Sequence, residues 1–217
     1  MLMRERVRPL AASLALVAVT GLALAASLVM APAAAAAPAE APRAQRTLYV
    51  LGDSLADPEV GVTSTDPYLR ASAQDLGLRY VVHADIGKGT TWGIEQLRRF
   101  PPPKNAIVVV ALGTNDIYAP SEFRQNAKTI LRMLQGHRVL WVNIHVSPRF
   151  KKGVGKDAAL NKTLRLQARA FDNLRVLDWK RYVRRHGIVA TDGLHYDAAG
   201  AQARAAFIAR AVRIALK

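Results

Sequence analysis

AIVVVALGTND, residues 106–116, is the stretch whose reading decides the fold. From Ala106 to Gly113 no polar side chain occurs, and a strand tolerates that only when both of its faces are covered, as in the centre of a parallel sheet. Gly113-Thr114-Asn115-Asp116 then breaks the run with turn-forming residues. Working outward, Thr47–Gly52 (TLYVLG), Arg79–Ala84 (RYVVHA), Arg138–Val146 (RVLWVNIHV) and Leu174–Asp178 (LRVLD) are also predicted strands. Helices are expected between them. One covers Asp66–Leu76, with Asp66 as N-cap, Pro67 in the first turn and Gly77 as the stop. Pro120–Gln135 repeats apolar residues at helical spacing (Phe123, Ala127, Ile130, Leu131, Leu134) and is closed by Gly136, and Lys156–Phe171 and Ala198–Ala215 complete the set. Strands alternating with helices imply right-handed crossovers and an α/β fold, a three-layer α/β/α sandwich on a five-stranded parallel sheet. Ligands of such sheets bind beyond the carboxyl ends of the strands.

The N-terminus reads differently. Arg4, Arg6 and Arg8 precede an apolar run, Leu10–Met30, and an Ala/Pro tract follows. A basic start, an apolar segment and small residues describe a secretory signal peptide. The run is 21 residues long, enough to remain as a membrane anchor with its basic end inside the cell. Residues 1–37 are therefore expected to be a signal peptide or anchor, 38–46 a linker and 47–217 the folded domain, secreted or otherwise extracytoplasmic. The chain has no cysteine, which excludes a disulfide framework, thiol catalysis and zinc-finger ligation. A body of about 170 residues can be held by its core alone.

The net charge is +15, and residues 1–37 contain only three arginines and Glu5, so the remainder keeps +13. Arg98, Arg99, the stretch from Arg149 to Lys156, and Lys180, Arg181, Arg184 and Arg185 carry much of it. Such faces either keep a secreted protein soluble or hold it to an anionic envelope polymer or membrane surface. Nucleic acid is not an expected partner, because no aromatics are interleaved with the charges.

Chemistry is expected at the strand ends. Gly52-Asp53-Ser54-Leu55 places a serine directly after the first strand, positioned as an exposed nucleophile that needs a base and an oxyanion site. Asp192-Gly193-Leu194-His195 precedes the last helix; Asp and His three apart fit one helical turn, with the carboxylate orienting the imidazole. Asn115 offers an amide donor at the same sheet edge, and Gly87-Lys88-Gly89-Thr90-Thr91 offers backbone N–H groups after the second strand.

These motifs resemble the blocks of the SGNH, or GDSL-type, hydrolase family, over about 170 residues. GDSL at 52–55, GTND at 113–116 and DGLH at 192–195 occur in the family's order. The resemblance implies a flavodoxin-like fold and an esterase or lipase-type activity through an acyl-enzyme on Ser54, with His195 as base and Asp192 as its orienter. It also implies an oxyanion hole from the Ser54 and Gly87 N–H groups and Asn115, with Gly89 as the other candidate glycine. No cofactor is implied. VLWVNIHVSP at 139–148, Asn161, Leu177-Asp178-Trp179 and the DGLH ending further resemble SGNH domains fused to membrane acyltransferases of cell envelopes. O-acyl transfer to an envelope glycan or lipid, and a non-catalytic envelope-binding module, are the competing functions. The substrate is then a small-molecule, lipid or glycan ester.

The remaining candidates have plainer readings. Asp53 is expected to be structural and Asp116 to cap a helix. His83, His137, His145 and His186 read as packing or surface residues; none has the spacing of a helical metal pair, so no metal is implied. Trp141 and Trp179 read as core, and Trp92, following the glycine turn, as a candidate for the pocket wall. The segment Ala56–Thr65 is expected to be a rim loop, given Pro58 and Gly61. Gly87-Lys88 and Gly155-Lys156 lack phosphate-loop spacing, and G-x-S-x-G is absent.

Overall fold

Strands β1 (Thr47–Gly52), β2 (Arg79–Ala84), β3 (Ile107–Ala111), β4 (Arg138–Val142) and β5 (Leu174–Leu177) form one sheet in the order β2-β1-β3-β4-β5. Every pairing is parallel, and the order is that of doubly wound flavodoxin-like sheets. The computed structural model describes residues 45–217, so the predicted leader at 1–37 and nearly all of the linker lie outside the described residues.

Alternation along β1 divides the core. Leu48 and Val50 face one layer with Val109, Leu140 and Val142, and this layer is covered by α1 (Asp66–Asp75) and α6 (Ala198–Ala215). Tyr49 and Leu51 face the other with Val108, Val110 and Trp141, under α2 (Thr90–Arg99), α3 (Pro120–Met133) and α4 (Asp157–Ala170). The five residues of β3 are all buried, as expected for a strand covered on both faces. Trp141 and Trp179 are core residues, and the Trp141 indole N–H is satisfied by the Leu112 carbonyl at 3.0 Å.

Several boundaries differ from the sequence reading, each for a local reason. β4 stops at Val142 rather than Val146, because Asn161 clamps the main chain beyond it. Its side chain accepts from the Ile144 N–H (2.9 Å) and donates to the Ile144 carbonyl (2.7 Å), as a neighbouring strand would. Asn161 thus lies inside α4. Asp66 is the first residue of α1, not its N-cap; Thr65 holds that position without a side-chain cap bond. The rim segment is a 3-10 turn over Pro58–Thr63, capped by Asp57 and kinked at Gly61.

Two helices were not anticipated. α2 follows a glycine-rich stretch that reads as a turn, but Gly93 serves close packing: an added Cβ would fall 2.4 Å from Leu112. α5 (Trp179–His186) is short and crowded with cations; Trp179 and Val183 are its buried residues, and the half-buried Tyr182 packs against the same core layer.

Candidate active site

The site grows from the end of β1. Gly52 lets the chain fold back at once, since a Cβ there would lie 2.6 Å from that of Ala56. The turn closes through the Ala56 N–H to the Asp53 carbonyl (2.8 Å), while Asp53 Oδ1 accepts the Leu55 N–H (3.0 Å). Asp53 is fully buried and structural. Burial pushes its carboxyl up to about 6, against the attraction of the buried Arg204 guanidinium from α6. Ser54 is left half-buried at the tip of this turn.

Ser54 Oγ lies 2.8 Å from His195 Nε2, and His195 Nδ1 lies 2.7 Å from Asp192 Oδ2. The Asp192–His195 pair does not sit on a helical turn. It occupies a loop in which Asp192 Oδ1 accepts the N–H groups of both Leu194 and His195, each at 2.8 Å. Gly193 takes φ +99 so that the loop can close. Partial burial alone would raise the Asp192 carboxyl, but the His195 side chain and these two backbone donors bring it down to about 2. An ionised carboxylate at Nδ1 keeps the proton there, which leaves Nε2 free to accept from Ser54.

His195 is anchored by its neighbour. The Tyr196 hydroxyl takes the Trp179 indole N–H (2.9 Å) and meets His145 Nδ1 (2.9 Å) beneath the site. Nothing in the spacing of Trp179, His145 and Tyr196 along the chain signals this cluster, which requires α5 to return under the loop.

The other side of the site is the junction of β3 with the turn before α2. Asn115 is exposed and donates one of its two amide hydrogens to the Lys88 carbonyl (2.9 Å). Asp116 is buried and takes the Thr90 N–H (3.0 Å) and hydroxyl (2.5 Å), so it caps α2 across the sheet edge. Burial raises the Asp116 carboxyl, against the lowering effect of the Thr90 hydrogen bonds. Ser54, Asn115 and the 87–89 turn therefore converge on the ends of β1, β3 and β2, where the strand order reverses.

A family model described as GDSL-like lipase/acylhydrolase matches residues 50–203, which include all three sequence blocks. The chain belongs to the GDSL-like lipase/acylhydrolase family. It is an ester-cleaving hydrolase of that family, and its fold recurs in solved structures. The C-terminal catalytic domain of the peptidoglycan O-acetyltransferase A of Streptococcus pneumoniae is 22% identical at a TM-score of 0.60, covering 79% of this chain and 95% of that one. A lipase/acylhydrolase from Enterococcus faecalis is 17% identical at 0.65, covering 77% and 95%. A psychrotrophic esterase from a Pseudoalteromonas species is 14% identical at 0.59, covering 79% and 99%. No curated protein matches the chain.

Within the acylhydrolase the two candidate glycines differ in kind. Gly87 adopts φ +73 with open space where a Cβ would project, whereas a Cβ on Gly89 would lie 3.0 Å from the Asp116 carboxylate. Gly89 makes room for the cap on α2, and Gly87 makes the turn. Trp92, in the first turn of α2, is half-buried against the β1–β3–β4 core layer. Among the described residues no group of three His, Asp or Glu side chains is placed to hold a metal ion. Asp116→Ala is expected to lower stability by about 1–2 kcal/mol, the upper range for a lost helix cap. Urea denaturation checks this; an unchanged midpoint would show that Asp116 does not hold α2.

Proposed function

We propose that the acylhydrolase is an exported serine esterase that works through an acyl-enzyme on Ser54. The observation that carries this reading is the continuous Ser54–His195–Asp192 chain at 2.8 and 2.7 Å. Ser54 Oγ attacks the ester carbonyl while His195 Nε2 takes its proton. The bond to the alcohol then breaks, and His195 returns the proton to the leaving oxygen. Water repeats the sequence on the acyl-enzyme and releases the acid. The Ser54 and Gly87 N–H groups and the second Asn115 amide hydrogen are assigned to the developing oxyanion. Neither N–H has a hydrogen-bond partner among the described residues. Trp92 is assigned to the pocket wall, and residues 1–37 to export as a signal peptide or membrane anchor.

Asn115→Ala is expected to lower kcat by about 10²–10³-fold with KM little changed, the cost of one donor that acts mainly on the transition state. Steady-state kinetics on a short-chain ester measures it. A rise in KM alone would move Asn115 to substrate binding.

Acyl transfer to a sugar hydroxyl would use the same acyl-enzyme, and the likeness to an O-acetyltransferase domain makes that comparison worth testing. Product analysis with and without an added glycan separates the two: free acid in both cases supports hydrolysis, and acylated glycan supports transfer.

A further inference from the structure

A groove of about 710 Å³ runs past the carboxyl end of β5, between α4 and α5. Arg165, Lys180, Arg181, Arg184 and Arg185 line it, with Asp178 as the one acid. Lys180 is already paired with the fully buried Asp157 at 2.7 Å. Asp178 is likewise engaged, accepting from the Asn143 amide (2.7 Å) and, as the cap of α5, from the Arg181 N–H (3.1 Å). The four arginines are exposed, and among the described residues none has an ion-pair partner.

Packing does not require this arrangement. Arg181 repels Arg184 and Arg185 at helical spacing of three and four. The C-terminal dipole of α5 offsets part of that for Arg184 and Arg185, but it does nothing for Arg165 on the facing helix. Planar guanidinium forks gathered on two walls of a groove suit oxyanions, phosphates above all. No aromatic side chain lines the groove as a stacking platform for bases. Ala158 is the one apolar side chain lining the groove, too small to enter a membrane.

The groove connects with the proposed catalytic site through the loop that precedes α4. The Ser147 N–H donates to the Gly193 carbonyl (2.9 Å), and the Phe150 backbone occupies the space a Cβ on Gly193 would need. Gly153 packs on Phe150 and Ile117, and the Lys156 ammonium lies 4.8 Å from the centre of the Tyr118 ring. The loop is thus seated between the turn carrying Asp192 and His195 and the segment carrying Asn115. It adds Arg149, Lys151, Lys152 and Lys156, all exposed, with no acid before Asp157. At about 4.8 Å per strand, two or three strand positions separate the Ser54 turn from the groove, roughly 10–15 Å.

We propose that these residues form one cationic track that binds a flexible phosphate-bearing polymer and presents its pendant O-acyl esters to Ser54. The presentation step rests on the reading of Ser54 as nucleophile; the binding step does not.

The test measures binding of the full chain to labelled inorganic polyphosphate over a salt series. Wild type should bind with a log–log salt slope of about 5–6, or about 0.7 for each phosphate contact of the four groove arginines and the four loop cations. Arg181→Ala/Arg184→Ala/Arg185→Ala should weaken binding at least tenfold at about 0.1 M salt and reduce the slope by about 2. Arg98→Ala/Arg99→Ala/Arg132→Ala removes equal charge elsewhere and should stay within twofold of wild type. Equal losses in the two triple variants would reduce the effect to bulk charge and overturn the track. So would no loss in the groove variant, or tighter binding to single-stranded DNA or anionic vesicles than to polyphosphate. Ser54→Ala should bind polyphosphate as wild type does, which keeps the binding result independent of the catalytic one. For presentation, the groove variant should lose about tenfold in the ratio of kcat/KM on an O-acetylated polyol phosphate to that on the neutral acetylated polyol, by the weakened binding above. An unchanged ratio would overturn that step.

Discussion

Ser54→Ala is expected to reduce ester hydrolysis by about 10⁴–10⁶-fold, the scale on which loss of a serine nucleophile is felt. The side chain is small and half-buried, and among the described residues His195 is the hydrogen-bond partner of its hydroxyl. Its removal therefore leaves the core intact, and the thermal midpoint should hardly move. The two measurements together are decisive: low activity with a native midpoint assigns the chemistry to Ser54. Retention of more than a few per cent of activity would require another nucleophile. A fluorophosphonate probe should label the wild type and leave the variant unlabelled.

His195→Ala is expected to cost a similar factor, about 10⁴–10⁶-fold, because nucleophile and base act as a unit and their losses do not add. The Ser54→Ala/His195→Ala double variant should be no slower than either single one within a few-fold. A much slower double variant would mean that the two residues contribute independently. Asp192 should stay in its orienting role over the acid range as well, because the His195 side chain and two backbone donors hold its carboxylate ionised down to about pH 2.

Four residues of the proposed machinery were legible as chain patterns, since a strand followed by a reactive side chain is a local event. Ser54 and Asn115 each come directly after an apolar run, so their place at one sheet edge follows once both runs are parallel strands. Asp192 and His195 were legible as a pair but not in their conformation. A spacing of three suggests a helical turn, whereas Asp192 instead draws two N–H groups into a loop that Gly193 allows. The glycine turn before α2 concealed a helix, because a glycine needed for close packing looks the same in sequence as one needed for a turn.

The sequence by itself determined the class of fold, its strand sites and the order of the catalytic blocks, because apolar periodicity and strand-end turns act between residues close along the chain. Only the tertiary structure decided what supports those blocks. Asp116 reaches Thr90 across 26 positions, Tyr196 is held by His145 from 51 positions away, and the loop after β4 seats itself on Gly193. It also decided which of the many cations share a groove, since Arg165 and Arg184 lie on different helices and meet only when both pack at the edge of the sheet. Charge has no periodicity that burial enforces, so its grouping is set by how the helices are placed around the core.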